Sequence, residues 1–390
     1  MRKSLSMVSN FENHTTKAGK QILFVNQSSG YLMIDIVNAF RGKYDERILA
    51  TGSLNPRSQA LDIDVIVERM IRYDRSTSFR RISTWVIAFF KVLWLILFRY
   101  RKAHVFIVSN PPLNIFLPLI IRNSYDILIY DIYPDAIIGH GLAGKDSWLV
   151  RFWTRTNKKV MSKARRVYTI TESMKKVIST YVPSEKIDVV QLWTDSTYLQ
   201  PVERKENQFI KKHGLENKFL IIYSGNLGRS HSIEVMLKIA EQVRKEDVFF
   251  LIIGEGDKQK MLMEGIASKK LGNCMLLPWQ ETSMLSHSLS AADLAVVTLG
   301  KDLGQYSIPS KLYSLMSVGA PVMGIAEKDT ELSRLLDAYQ IGICFEEDDL
   351  AGMVDYINRL VNEYQYRDKL RQNALAASRD FTSANAMKFV

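Results

Sequence analysis

The chain holds 390 residues, enough at about 150 residues per domain for two domains with separate cores. Its composition, 47% hydrophobic, 10% aromatic and 24% charged, excludes disordered, collagen-like and coiled-coil classes. The formal charge of +11 is uneven: residues 1–195 carry 29 Lys and Arg against 16 Asp and Glu, and residues 196–390 carry 23 against 25. The basic first half calls for an anionic partner, and a nucleic acid, an anionic membrane or a phosphorylated acceptor would each fit. No RNA- or DNA-binding motif accompanies the charge, so a nucleic-acid partner is not expected. The two cysteines, Cys274 and Cys344, exclude a disulfide framework, and neither stands at metal-ligand spacing from another Cys or a His. A reducing compartment and no structural zinc are expected. The first twenty residues lack an apolar run that could form a signal-peptide core, so retention in the cytosol is expected.

Along the chain, short apolar runs bounded by turn residues alternate with amphipathic segments, the pattern of an α/β protein with parallel sheets. The first half predicts strands at 21–27, 46–52, 104–110, 126–132 and 166–171, with helices between them. Among the helices, ISTWVIAFFKVLWLILF (82–98) is apolar on nearly every face, with Lys91 and two Trp inside it. Basic residues flank it: Arg69, Arg72, Arg75, Arg80 and Arg81 before it, and Arg99, Arg101 and Lys102 after it. A further acid-free basic stretch runs from Arg151 to Arg166. Seventeen residues with a central Lys are short for a membrane span, which needs about 20. Three readings stay open: a buried core helix, an interfacial helix anchored by Trp and flanking arginines, or a span, and the basic flanks favour the membrane surface.

Near 201–209 the chain loses apolar content and reads as a linker. The alternation then restarts, with strands expected at 219–225, 248–254, 273–279, 293–299, 321–326 and 341–345. Helices are expected from Ser232, Asp257, Ser310 and Thr330 and over 281–290, and again after the last strand. Two doubly wound domains in series would face each other across a deep cleft, because ligands of open α/β sheets bind at the carboxyl ends of the strands.

Three stretches could carry chemistry. The run Gly225-Asn226-Leu227-Gly228-Arg229-Ser230 follows a strand, where glycines let backbone N–H groups approach a phosphate and Arg229 adds a forked charge. A tight turn with an exposed Arg is the alternative. Gly254-Glu255-Gly256 also follows a strand, but the third glycine of a dinucleotide fingerprint would fall on Gln259, which removes the main support for nicotinamide chemistry. In Ile308-Pro309-Ser310-Lys311, Ser310 can cap a helix whose positive end and Lys311 would receive a pyrophosphate. Ordinary helix-start chemistry would also explain Ser310.

YSGNLGRSHSIE, LPW, AADLAVVTL and IPSKLYSLMSVGAPV, with SNPPL and YDIYPDAI in the first half, resemble family 4 of the retaining glycosyltransferases. The likeness is to bacterial enzymes that build surface polysaccharides, fucosaminyltransferases among them, and runs from about residue 21 to 380. The resemblance implies the GT-B architecture, two Rossmann-like doubly wound domains facing a deep interdomain cleft. An acceptor domain would occupy 1–200, a nucleotide-sugar domain 201–363, and a C-terminal helix within 364–390 would cross back to the first domain. It implies donor phosphates near Gly225, Arg229 and Lys311 and a nucleobase near Pro278 and Trp279, with Asn226, Gly228, Glu255, Ser310 and Ser314 also on the donor. Asp131 and Asp135 would face the cleft from the acceptor side, where strand-end capping is the alternative, and His140 would contact sugar or phosphate unless it is a satisfied loop His. The sequence departs from the family pattern where two Glu eight positions apart are Tyr306 and Ser314, and where a glycine-loop Arg is Asn226.

The resemblance further implies transfer on one face of the sugar, with the leaving phosphate helping to deprotonate the acceptor hydroxyl. No acidic metal-binding pair stands out, so metal-independent transfer is expected. The expectation is a transferase moving a sugar from a UDP-linked donor to a lipid-diphosphate-linked saccharide, peripherally bound to the inner face of the plasma membrane. A nucleotide-sugar 2-epimerase or a non-catalytic donor-binding subunit is the alternative.

Overall fold

The computed structural model describes residues 19–74, 76–135, 138, 144, 146–228, 231–243, 245–300 and 309–390. The first half supplies β1 (Gln21–Val25), β2 (Ser28–Gly30), β3 (Glu46–Thr51), β4 (Ser53–Asn55), β5 (Ile66–Arg69), β6 (His104–Val108), β7 (Tyr125–Ile129), β8 (Val167–Thr169) and β9 (Ile187–Val189). Seven of them form an all-parallel sheet in the order β5-β3-β1-β6-β7-β8-β9, while β2 and β4 pair separately. Apolar runs such as ILFV in β1 and HVFIV in β6 are buried on both faces, as a sheet covered by helices requires. The sequence reading misses β2, β4, β5 and β9, which are three or four residues long and lack a continuous apolar run.

The second half supplies β10 (Phe219–Ser224), β11 (Val248–Ile253), β12 (Cys274–Leu277), β13 (Leu294–Thr298), β14 (Val322–Ile325) and β15 (Gly342–Phe345). They form a second parallel sheet, ordered β12-β11-β10-β13-β14-β15. In each sheet the order reverses beside the first strand, between β1 and β6 and between β10 and β13, which is where a doubly wound sheet opens a crevice at its carboxyl end. The stretch expected as a linker is tied down: Arg204 pairs with Asp293 at 2.9 Å, and Asn207 caps the helix Gln208–His213 with its side-chain oxygen.

Four helices matter for the site: α1 (Tyr31–Ala39), α2 (Ser78–Trp94), α3 (Trp148–Lys163) and α4 (Lys311–Ser317). α2 begins four residues before the predicted start, where Thr77 accepts from the Arg80 N–H at 3.1 Å, and it continues as a π-turn over Leu95–Arg99. Together, Ser78–Arg99 is long and apolar enough to cross a membrane by length and composition. Only 28% of its most apolar window is buried, which counts against the core-helix reading. Thr84, Ala88, Val92, Leu95 and Ile96 recur at helical spacing and face the core, while Phe79, Ile82, Phe90, Trp94 and Phe98 are exposed on the other side.

The chain end packs on the first half. Phe389 sits edge-on to Tyr168 at 4.8 Å and to Phe106 at 5.9 Å, and Tyr168 donates its hydroxyl to the Phe389 carbonyl at 3.1 Å. Phe381, fully buried, packs against Tyr313 of α4 at 4.8 Å and accepts through its carbonyl from the Thr194 N–H at 3.2 Å. One apolar cluster therefore runs from the first sheet through the chain end into the second sheet.

Candidate active site between the two sheets

A cavity of about 670 Å³ lies at the β10/β13 switch point and is closed on the other side by the first half. Ser224 and Gly225 at the end of β10 and Ser310, Lys311 and Ser314 around the start of α4 form one wall; Tyr31, Leu32 and Arg57 form the other. Among the described lining residues there is no Asp or Glu.

Lys311 is the least comfortable group in this cavity. Its Nζ is buried without a hydrogen-bond partner and lies 3.8 Å from the centre of the Tyr223 ring. Removal from water penalises the ammonium, and burial pulls its pKa down to about 7. Tyr223 is held flat beneath it because its hydroxyl donates to the Asn226 carbonyl at 2.8 Å. The ammonium reaches this position because residue 225 is Gly: a Cβ there would stand 2.5 Å from Nζ. The Asn226–Gly228 loop is set against the next strand end by Gly225 N–H to the Ile253 carbonyl and Leu227 N–H to the Glu255 carbonyl, both at 2.9 Å. Gly254, at φ +149°, permits that approach, since a Cβ would fall 1.9 Å from the Gly225 carbonyl oxygen. The glycines that fail as a dinucleotide fingerprint thus lock two loops together.

Across the cavity, Arg57 stacks its guanidinium 4.2 Å from the centre of the Tyr31 ring, and its Nη1 is buried without a hydrogen-bond partner. Tyr31 donates to the Trp193 carbonyl at 3.0 Å, and Trp193 Nε1 donates to the Asp35 carboxylate at 2.7 Å. Burial pushes Asp35 up to about 6, opposed by that hydrogen bond. Next in the chain, Thr194 meets Ser314 hydroxyl to hydroxyl at 3.2 Å, so the two halves touch at the floor of the site. His231 also lines the cavity; its Nδ1–H donates to the Thr298 carbonyl at 3.1 Å, and burial together with nearby Lys311 lowers its pKa.

The structure brings Gly225, Asn226, Trp279, Ser310, Lys311 and Ser314 together on the cavity. Trp279 is half exposed at its rim, whereas Pro278 and Glu255 are exposed and outside its lining; Glu255 contributes its backbone carbonyl to the loop contact. Gly228 shapes the loop without lining the cavity. Ser310 does not cap α4, a correction with a geometric reason: its φ −56° and ψ −22° are already helical, whereas a cap residue is extended so that its oxygen can reach back. The turn is closed instead by the Leu312 N–H to the Pro309 carbonyl at 3.0 Å.

Asp131 and Asp135 follow the carboxyl end of β7 and are not among the residues that line this cavity. Asp131 borders a separate small pocket with Tyr133 and Trp153, and Asp135 accepts a hydrogen bond from the Tyr181 hydroxyl. Arg229, His140 and Tyr306 lie outside the described residues. The sequence reading missed Arg57, Tyr31 and His231. His231 lies within YSGNLGRSHSIE with nothing in the sequence to mark its role, while Arg57 sits in a polar loop, NPRSQ, that reads as any solvated turn.

Residues 205–376 match the family model described as glycosyl transferases group 1. The putative colanic acid biosynthesis glycosyl transferase WcaI of Escherichia coli K12 is 27% identical over 262 residues, 63% of this chain and 64% of that protein. The probable glycosyltransferase WbjE of Pseudomonas aeruginosa is 28% identical over 242 residues, 60% of each. The match to these relatives therefore spans less than two thirds of their own length. Among solved structures, Anabaena Alr3699/HepE in complex with UDP and glucose superposes with a TM-score of 0.71, covering 95% of this chain and 98% of that one at 16% identity. The fold is GT-B. In a GT-B molecule the cavity between the two sheets is the interdomain cleft, and α4 with the Gly225 loop belongs to its C-terminal wall.

Proposed function

We propose that the protein is a retaining glycosyltransferase of bacterial polysaccharide synthesis that moves a sugar from a nucleotide-sugar, UDP-linked, to a lipid-diphosphate-linked saccharide. The observation that carries this reading is the buried, hydrogen-bond-orphaned Lys311 Nζ, faced across a cavity whose described lining holds no carboxylate by half-buried Arg57, whose Nη1 also lacks a hydrogen-bond partner. An unpaired buried cation is costly and persists where a ligand of opposite charge completes it. A diphosphate carries the matching charge, and the UDP bound by the structural neighbour is of this chemical class.

In this reading Lys311 and Arg57 stabilise the charge that builds on the departing diphosphate, in a site where few waters compete. Trp279 offers a half-exposed aromatic face at the rim for the base. With no described carboxylate in the lining, the leaving phosphate itself takes the acceptor proton, and transfer needs no metal ion. The acceptor arrives from the membrane surface. The exposed face of α2 carries Phe79, Phe90, Trp94 and Phe98, and α3 adds Trp148 and Phe152. The segment Pro112–Leu119 packs against both helices, and exposed Arg80, Arg81, Arg151, Arg155, Lys158 and Lys159 surround this face. Apolar and aromatic side chains among cations suit an anionic lipid interface.

The test is binding of UDP-, GDP- and dTDP-sugars, then product detection with the tightest binder and an undecaprenyl-diphosphate saccharide, with and without a chelator. Retained anomeric configuration in a lipid-linked product, unaffected by the chelator, is expected. An epimerised free sugar, or tight donor binding without transfer, would overturn the reading.

A further inference from the structure

At the opposite end of the first sheet from the cleft, a recess of about 630 Å³ gathers five cationic side chains, Lys20, Arg99, Arg101, Lys102 and Arg165, and no Asp or Glu is among its described lining residues. It lies at the amino-terminal edge of the strands, beside Gln21 of β1 and His104 of β6, so it is no part of the donor cavity. We propose that this recess binds the phosphate of an anionic phospholipid headgroup and so fixes the enzyme on the membrane at a defined place.

The recess is built, and its charge is only partly compensated. Buried Asp126 accepts two hydrogen bonds from Arg165, at 3.0 and 2.6 Å, and stands 3.0 Å from His104 Nε2, which fixes one wall. Arg99 pairs with Glu68 at 2.7 Å, and Glu68 also accepts from the Tyr100 hydroxyl at 2.6 Å. Those two carboxylates are thereby committed. Lys20 lies 4.8 Å from the Tyr44 ring, which stacks on His104, while Arg101 and Lys102 are exposed and make no ion pair with a described carboxylate. Like charges crowded on a concave wall repel one another and focus a positive potential that one phosphate relieves.

The lipid source follows from continuity with the apolar face. Phe98, 70% exposed, lines the recess and is also the last exposed apolar residue of the α2 face, 6.1 Å ring to ring from Trp94. A lipid with its chains along Trp94 and Phe98 would bring its phosphate to Arg101 and Lys102, at the depth where Trp and basic residues meet headgroups. This inference rests on the membrane-surface part of the proposed function.

The test compares sedimentation with phosphatidylcholine vesicles, with and without phosphatidylglycerol, for the full chain, for K20Q/R101Q/K102Q, and for a control of equal charge change, K205Q/K211Q/K212Q. All six residues are exposed, so folding is preserved. The recess variant is expected to lose about tenfold or more in affinity for phosphatidylglycerol vesicles, at unchanged affinity for neutral ones, while the control stays within about twofold. Equal binding by wild type and recess variant, or an equal loss in the control, would overturn the proposal. Binding of glycerol phosphate that is lost in the recess variant, together with equal affinity of the wild type for vesicles with and without phosphatidylglycerol, would also overturn it, by assigning the recess to a free phosphate. UDP-sugar binding is read on the same samples: its absence from every sample would sink the transferase reading while the vesicle comparison still decides the recess.

Discussion

In the cleft, Lys311 is buried against Tyr223 and its pKa falls to about 7, whereas Lys20, Arg101 and Lys102 at the far end of the same molecule keep their hydration. Both regions are cationic, but the first holds a buried charge without a partner, and the second a solvated cluster. The buried site should therefore respond to a single atom change and to pH. The exposed one should respond to total charge and to salt.

The largest expected effect is on Lys311. Lys311→Met should weaken UDP-sugar binding at least about a hundredfold by calorimetry, since breaking a buried charge pair costs about 3–5 kcal/mol. The same substitution should raise the melting temperature at pH 6. In the unfolded chain this ammonium titrates near 10.5 and in the folded one near 7. Between those values the unfolded state holds a proton that the folded state has lost, so stability rises with pH across that window. Below pH 7 the full penalty of the buried charge is present, and the Met variant's advantage should be greatest there and gone above pH 10.5. A variant that loses stability at pH 6 would break the contrast. Next, Phe90→Glu with Trp94→Glu should abolish vesicle sedimentation while leaving the circular dichroism melt unchanged, because both side chains are half or more exposed.

A smaller loss, about tenfold in donor affinity, is expected for Arg57→Ala, because the guanidinium is only half-buried and Lys311 remains. The smallest effect, and the sharpest for the comparison, is that of salt. Raising ionic strength from about 0.05 to 0.5 M should release the protein from anionic vesicles while changing UDP-sugar affinity severalfold at most, since the Debye length falls below the spacing of the exposed charges. Equal salt sensitivity of the two would mean that Lys311 is solvated.

The parts of this arrangement that were legible in the sequence are those written locally. The apolar run of β10 followed by Gly225, and Lys311 after Pro309-Ser310, put backbone, glycine and charge within a few residues of one another, and pattern reading finds such combinations. The overlong ends assigned to β6 and β7 have a plain cause: 109–110 and 130–132 continue the apolar and turn chemistry of the strands after the ladder has ended. Arg57 was hidden for a different reason. It meets the Lys311 cavity only because two sheets separated by most of the chain face each other, and Trp193, Thr194 and Asp35 matter through the same long-range closure. Asp131 and Asp135 follow the end of β7, but the local pattern could not show which neighbours they meet, Asp131 a small pocket with Tyr133 and Trp153 and Asp135 the Tyr181 hydroxyl.

The most direct test of the central claim is proton uptake on UDP-sugar binding, measured by calorimetry at pH 8 in buffers of different ionisation enthalpy. The diphosphate of a nucleotide-sugar does not titrate there, whereas Lys311 is largely neutral in the free protein and must be charged against a phosphate. Uptake close to one proton is predicted at pH 8, falling toward zero below pH 6 and absent at pH 8 in Lys311→Met. Binding by the wild type at pH 8 with no proton uptake would contradict the account of Lys311 as a buried charge completed by the donor.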